Sequence, residues 1–224
     1  MKHEVISPMT KIKICGITSL EDALDACKAG ADALGFNFST KSPRVISPER
    51  ARHIIRNLPP FVQSAGIFVE HSPEEIEAIC RHSGLQIAQL HSDRYSDEQA
   101  RSITAVAKVI KVFRPDKKFS TEQVRLFAEK SGINTFLFDA YRPDMLGGTG
   151  ECIDASLATR IFDELGDSCY AILAGGLNDK NVGEAIRQTK PYGVDTASGV
   201  EKEPGIKDPA KIKSFIRAVH KALL

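Results

Sequence analysis

The feature that most constrains the fold of this chain is a regular alternation of strand-like and helix-like segments. Eight short apolar runs are each followed by a segment of helical periodicity, at about 28 residues per unit over 224 residues. Capping residues mark the helix starts, with Asn178 expected to cap the seventh helix. Strands that alternate with helices pair in parallel, because each crossover returns the chain to the same edge of the sheet. The predicted strands lie near 11–15, 32–38, 63–69, 86–90, 106–113, 135–139, 170–174 and 192–196.

Eight such units favour a single (β/α)8 barrel, the TIM barrel of the α/β class. We expect one domain over residues 1–224, with residues 1–10 as a short N-terminal extension. An open doubly wound sheet is the alternative, but it usually has fewer strands and often a G-x-G-x-x-G turn after the first. Here that turn reads C-G-I-T at 15–18. In a barrel, catalytic groups are expected at the carboxyl ends of the strands.

Composition argues against several classes of function. The formal net charge is +1, so neither nucleic acid nor an anionic membrane is an expected partner. The sequence contains no signal-peptide core and no run of about 18 apolar residues. The five cysteines form no C-x-x-C pair, which argues against a disulfide framework and a zinc site. We therefore expect a cytoplasmic protein in a reducing compartment, without a metal site.

Polar groups end several of the otherwise apolar strands, and in a barrel these positions share one face. Two glycine-containing pairs follow strands seven and eight, where such barrels usually bind phosphate through backbone N–H groups. The alternative is that these glycines serve only the turns. The full set of strand-end groups is Cys15, Asn37 with Arg44, Glu70, Gln89 with His91, Arg114, Asp139, Gly175-Gly176, and Asp195 with Ser198-Gly199.

A thiol and a carboxylate in this set form a candidate acid–base pair. Cys15 ends the first strand, although free cysteines are more often small buried hydrophobes. Asp139 follows three apolar residues that could raise its pKa, but it could equally cap a helix or pair with Arg142. A thiol opposite a carboxylate, with no obligatory histidine and no metal cluster, suggests proton transfer rather than hydrolysis. That chemistry is typical of an isomerase.

Two basic side chains at strand ends have less support from the sequence alone. Arg44 lies in a loop with Lys41 and could bind a carboxylate in two-point fashion. A solvated loop charge is the better interpretation of Arg44 without other information. His91 could be an acid or a base, but a single strand-end histidine is often only hydrogen-bonded.

Taken together, these residues resemble the phosphoribosylanthranilate isomerases, a family of tryptophan biosynthesis. The matching segments occur in order over nearly the whole chain, which makes the resemblance far more specific than any single motif. They are K-I-C-G-I-T at 13–18, G-A-D-A-L-G-F at 30–36, K-S-P-R at 41–44, Q-L-H at 89–91, F-D-A at 138–140, G-G-T-G at 147–150, A-G-G-L-N at 174–178, P-Y-G-V-D-T-A-S-G-V-E at 191–201 and G-I-K-D-P at 205–209.

The resemblance implies a metal-free (β/α)8 isomerase that needs no cofactor and performs an Amadori rearrangement. N-(5-phosphoribosyl)anthranilate would become 1-(2-carboxyphenylamino)-1-deoxyribulose 5-phosphate, with Cys15 as general base and Asp139 as general acid. Arg44 would bind the anthranilate carboxylate. The implied partner is a small phosphorylated substrate, and a monomer and a homodimer both stay open. The implied substrate-binding residues are Arg44, Gln89, His91, Gly147, Gly148, Gly175, Gly176, Asp195, Ser198 and Gly199.

The chain departs from the family pattern at two positions, and two rival functions stay open. Ser92 stands where glycine often follows Q-L-H, and Ala197 replaces a serine, which should affect phosphate affinity rather than chemistry. A related phosphosugar barrel, such as the enzyme that forms indole-glycerol phosphate, would need a strand-end lysine acid that the sequence does not place well. A catalytically idle barrel that senses a phosphorylated metabolite is disfavoured by the intact Cys15 and Asp139.

Overall fold

Eight parallel strands close into a barrel in the computed structural model, which describes residues 10–139 and 154–224. Each strand pairs with the next along the chain, and the last pairs with the first to close the barrel. This order confirms the predicted closed barrel and excludes the open sheet. The strands are β1 (Lys11–Cys15), β2 (Ala33–Asn37), β3 (Gln63–Phe68), β4 (Ile87–Leu90), β5 (Lys108–Phe113), β6 (Thr135–Phe138), β7 (Tyr170–Leu173) and β8 (Gly193–Thr196).

Helices follow the strands and surround the barrel, and most start directly after a residue whose side chain caps the first turn. Ser72 and Ser96, for example, each form a capping box that satisfies backbone N–H groups of the first turn. Over the described residues, no helix has the length and apolar character needed to cross a bilayer. The helices are α1 (Leu20–Ala29), α2 (Pro48–Ile55), α3 (Pro73–Ser83), α4 (Asp97–Ile103), α5 (Glu122–Ser131), α6 (Ala155–Leu165), α7 (Val182–Thr189) and α8 (Pro209–Ala222).

The start of α7 differs from the sequence-based prediction. Asn181, not Asn178, is the residue that precedes the helix, which begins at Val182. The backbone N–H of Asn178 donates to Asn181 Oδ1 at 2.8 Å, and its own Oδ1 accepts from Lys180 N at 2.9 Å. Asn178 therefore organises a turn before the helix, because its short amide side chain can bond to nearby backbone groups.

A short antiparallel hairpin between β8 and α8 was not predicted. It consists of β9 (Glu201–Glu203) and β10 (Ile206–Lys207). The carbonyl of Gly205, in the turn of the hairpin, accepts a 2.6 Å hydrogen bond from Thr18 Oγ1. The hairpin is therefore attached to the loop that follows β1.

The strands place alternate side chains in two separate environments. On β1, Ile12 and Ile14 join the large apolar cluster between the strands and the helices. Because successive side chains of a strand point to opposite faces, Lys13 and Cys15 face the barrel interior. A second apolar cluster fills part of that interior and consists of Ile110, Val112, Leu137, Ile172 and Ala174.

Candidate active site

A cavity opens at the carboxyl ends of the strands and brings together most of the predicted site residues. Of the predicted site residues that the structure describes, Gly199 alone does not line the cavity. Gly147 and Gly148 lie outside the described residues. Lys41, from the loop after β2, also lines the cavity, whereas the strand-end groups Glu70 and Arg114 do not. The predicted residues on the cavity wall are Cys15, Arg44, Gln89, His91, Asp139, Gly175, Gly176, Asp195 and Ser198.

Glycine is needed after β7 and after β8 for two different structural reasons. Gly175 and Gly176 have φ values of +88° and +63°, a conformation that side chains with a Cβ rarely adopt. A Cβ on Gly199 would overlap the carbonyl oxygen of Leu177, so this glycine lets the short 3-10 turn after β8 approach the β7 loop. Gly199 thus supports the cavity wall from behind, while Ser198 lies on it.

Cys15 shares the barrel interior with a buried ion pair that the sequence did not reveal. Lys13 Nζ donates to Asp195 Oδ1 at 2.8 Å, and the two side chains are 7% and 10% exposed. The Cys15 thiol adjoins the Lys13 ammonium, whose positive charge acts on it. Gly35 leaves room for both, because a Cβ there would come within 2.7 Å of the Cys15 sulfur and 3.0 Å of Lys13 Nζ.

Burial and charge act in opposite directions on these groups. Burial raises the pKa of the Cys15 thiol above its ordinary value, although the Lys13 ammonium opposes this rise. Burial alone would lower the pKa of Lys13, but the Asp195 carboxylate and Cys15 more than offset it, so that pKa is raised. At neutral pH, Cys15 is therefore mainly a thiol, and a permanent cation adjoins it to stabilise the thiolate when it forms.

Arg44 is held in a two-point ion pair and is not a solvated loop charge. Its Nε donates to Glu201 Oε1 at 2.8 Å and its Nη2 donates to Glu201 Oε2 at 2.7 Å. Lys207 Nζ donates to the same Oε1 at 2.9 Å, and the Lys207 side chain is fully buried. Burial would raise the pKa of Glu201, but Arg44 and Lys207 hold it below the usual range. The hairpin after β8 thus fixes the arginine at the cavity wall.

His91 lies between an arginine and the candidate acid. Arg114 Nη2 is 2.6 Å from His91 Nδ1 and 3.2 Å from the His91 carbonyl oxygen. On the other side of the ring, His91 Nε2 is 3.6 Å from Asp139 Oδ2. Burial, together with the positive charges of Arg114, Lys13 and Lys111, lowers the pKa of His91 to about 3. The ring is therefore neutral at physiological pH.

Gln89 presents a buried polar atom to the cavity. The residue is 1% exposed, and its Oε1 has no hydrogen-bond partner among the described residues. Buried polar atoms nearly always have a partner, so an unpartnered one on a cavity wall points to a ligand that supplies it.

Sequence reasoning missed Lys13, Glu201 and Lys207. The signal for Lys13 was its position between Ile12 and Ile14, because one of the two faces of a barrel strand must point inward. No comparable local signal exists for the other two residues, since a hairpin brings them to Arg44 from more than 150 positions away in sequence.

Comparison with known proteins shows the family to which the chain is similar. Residues 12–218 match the family model described as N-(5'phosphoribosyl)anthranilate (PRA) isomerase. The chain is 74% identical over 215 residues to N-(5'-phosphoribosyl)anthranilate isomerase of Pelodictyon phaeoclathratiforme, an alignment that covers 96% of this chain and 100% of the relative.

Solved structures agree with this match. The phosphoribosyl anthranilate isomerase of Thermotoga maritima is similar with a TM-score of 0.85 and 40% identity, over 95% of this chain and 100% of the other. A second structure, with a TM-score of 0.82 and 39% identity over 95% and 100% of the two chains, is a complex with reduced 1-(o-carboxyphenylamino)-1-deoxyribulose 5-phosphate. A third, with a TM-score of 0.82 and 37% identity over the same shares, shows monomers generated from a dimeric isomerase.

Proposed function

The chain belongs to the N-(5′-phosphoribosyl)anthranilate isomerase family, and we propose that Cys15 and Asp139 are the general base and the general acid of its reaction. It is an isomerase of tryptophan biosynthesis that converts N-(5-phosphoribosyl)anthranilate to 1-(2-carboxyphenylamino)-1-deoxyribulose 5-phosphate. Substrate and product have the same composition, so the conversion needs proton transfers only. The observation that supports the proposal is that one cavity is lined by both Cys15 and Asp139, which enter it from non-adjacent strands.

The two groups have distinct roles in the proposed mechanism. Asp139 donates a proton to the furanose ring oxygen, and the C1′–O bond breaks to give an open-chain Schiff base. Cys15, as the thiolate, takes the proton from C2′, and the resulting enolamine relaxes to the ketone. Because the thiolate is a minor state at neutral pH, the Lys13 ammonium supplies the charge that stabilises it.

The remaining cavity groups are proposed to bind the two ends of the substrate. Arg44 is the proposed ligand of the anthranilate carboxylate: a guanidinium has five N–H donors, and Glu201 occupies only part of them. The phosphate is proposed to lie at Gly175, Gly176 and Ser198, with Gly199 supporting that wall. Roles in substrate binding for Gln89, His91, Gly147, Gly148 and Asp195 also stay predictions.

The wider setting follows from the same proposal. We infer a cytoplasmic enzyme whose partner is a small phosphorylated metabolite, since the pathway handles soluble phosphosugars. A monomer and a homodimer both remain open, and a dimeric relative is known. Sedimentation equilibrium of the purified chain distinguishes the two states.

Replacing the base tests the proposal. Cys15→Ser should fold normally and lose about 10²- to 10⁴-fold in kcat, because a hydroxyl is a far weaker base. The assay follows the loss of fluorescence of phosphoribosylanthranilate generated in situ. Cys27→Ser, on helix α1 and away from the cavity, is the matched control and should keep kcat. A Cys15→Ser enzyme with wild-type kcat contradicts the assignment, and an inactive wild-type chain would support the sensor alternative.

A further inference from the structure

The contact between Arg114 and His91 determines which ring nitrogen carries the proton. A guanidinium can only donate hydrogen bonds, so His91 Nδ1, at 2.6 Å from Arg114 Nη2, must accept with its lone pair. A neutral imidazole has one protonated nitrogen, and the proton must then be on Nε2. Turning the ring over would place a C–H group against the arginine donor, so the observed ring orientation is the one that the contact favours.

The backbone of His91 holds the ring in this place. Its N–H donates to the Phe68 carbonyl at 2.8 Å, which continues the pairing of β3 with β4. Its carbonyl accepts a second bond from Arg114 Nη2 at 3.2 Å. Arg114 therefore bridges the ring and the main chain of one residue, which limits rotation of the imidazole.

We propose that Arg114 is a positioning residue that fixes neutral His91 as the Nε2–H tautomer, so that this N–H is directed at the Asp139 carboxyl group. The proposal rests on the role of Asp139 as the general acid. His91 Nε2 is 3.6 Å from Asp139 Oδ2, and a small movement on substrate binding closes this to a hydrogen bond. The N–H then stabilises the carboxylate that remains after the proton has gone to the furanose ring oxygen.

The charges around His91 explain why the ring must stay neutral. Arg114, Lys13 and Lys111 are the positive groups that act on it, and Asp139 is the carboxylate that faces it. If His91 were protonated, its full positive charge would favour ionised Asp139 and so remove the acid before catalysis. A nearby arginine that both occupies Nδ1 and repels a second positive charge keeps His91 a neutral donor.

The first test is the tautomer itself, read from ¹⁵N chemical shifts of the imidazole nitrogens in the labelled wild-type protein. His91 signals are assigned by their loss in His91→Gln. We expect a protonated Nε2, an unprotonated Nδ1 and no titration between pH 5 and 8. A protonated Nδ1, or a ring that titrates in this range, overturns the proposal without reference to activity or to any Arg114 variant.

The second test removes the arginine. Arg114→Met removes one of the positive charges that lower the pKa of His91, so this pKa should rise above about 3, although burial, Lys13 and Lys111 still hold it below its ordinary value. The acidic limb that protonation of the ring causes in the profile of kcat/KM should move to higher pH by the same amount. Arg114→Lys keeps a cationic hydrogen-bond donor. It should therefore change the pKa of His91 and the pH profile of kcat/KM less than Arg114→Met does. Arg94→Met is the matched control: Arg94 lies in the loop between β4 and α4, donates to the Glu70 carbonyl at 2.8 Å and does not line the cavity.

The outcomes are separable from those of the proposed function. Unchanged ring signals and an unchanged pH profile in a folded Arg114→Met enzyme overturn the positioning role. Altered ring signals with an unchanged profile overturn the link to the acid. Failure of Asp139 as the acid would instead appear as activity retained in Asp139→Asn, while the tautomer of the wild-type ring stayed the same.

Discussion

Lys13 Nζ lies 2.8 Å from Asp195 Oδ1 inside the barrel, and the Cys15 thiol adjoins the ammonium group. A buried ion pair of this kind adds little to stability by itself, because removing two charges from water offsets their attraction. Its value here is local: Asp195 keeps Lys13 charged, and Lys13 supplies the positive field in which the Cys15 proton can leave.

Lys13→Met is expected to destabilise the fold by about 3–5 kcal/mol, because it leaves the Asp195 carboxylate buried without its cation. Urea unfolding measures this change. The double variant Lys13→Met/Asp195→Leu removes both charges and should recover most of the loss. In the double variant the pKa of Cys15 should rise further, which the pH dependence of Cys15 alkylation reports by peptide mass spectrometry. An unchanged Cys15 alkylation profile would show that Lys13 does not act on the thiol.

Arg44→Ala should raise the KM for the anthranilate substrate by about 10- to 100-fold, since a lost charge-assisted pair costs on the order of 1.5–3 kcal/mol. Inhibition by inorganic phosphate should not change, because that ligand lacks the carboxylate. Glu201→Gln keeps Arg44 but weakens the pair that holds it, and should raise KM less than Arg44→Ala. Equal weakening of phosphate and substrate would make Arg44 a phosphate ligand instead.

Sequence alone predicted the barrel, and most of the site residues that it predicted lie on one cavity wall, for a physical reason. Parallel strands bring their carboxyl ends to one face, so a polar residue at a strand end, such as Cys15 or Gln89, is placed by topology. Partners across the barrel are not placed in this way. The bonds of Arg44 to Glu201 and of His91 to Arg114 depend on loop geometry, which has no periodicity to read.

The start of α7 and the position of Lys13 show a second limit of prediction from sequence. The alternation of Ile12, Lys13 and Ile14 correctly indicated a strand. It did not indicate that the side of the strand that carries Lys13 would face the barrel interior. Asn178 and Asn181 are both acceptable caps, and only the turn between them decides which one precedes the helix.

Lys111 gives a prediction for stability against pH. It is 3% exposed, donates to the Ser92 carbonyl at 2.6 Å, and burial lowers its pKa from 10.5 to about 8. Between these two values the unfolded chain holds the proton and the folded chain does not, so the contribution of Lys111 to stability rises with pH across this window. Below about pH 8 both states are protonated, and the full cost of the buried charge is present.

Lys111→Met removes this titration. The stability of the variant relative to wild type should therefore fall by about 1–3 kcal/mol between pH 7.5 and pH 10.5, as measured by urea unfolding at both pH values. Lys108→Met, at the exposed start of the same strand, is the control and should give a difference that does not depend on pH. A pH-independent difference for Lys111→Met as well would mean that Lys111 titrates alike in both states.

The pairing of Cys15 with Asp139 is tested most directly by the activity of Asp139→Asn. This change keeps the size of the side chain and removes the acid, so ring opening should slow by at least about 10²-fold in kcat. Binding of the reduced product analogue, measured by calorimetry, should stay within a few-fold of wild type, because the cavity is otherwise intact. The wild-type profile of kcat/KM against pH should be bell-shaped, with limbs that belong to the coupled pair. An Asp139→Asn enzyme with full activity and the same bell would contradict the account, since the proton would then come from another group.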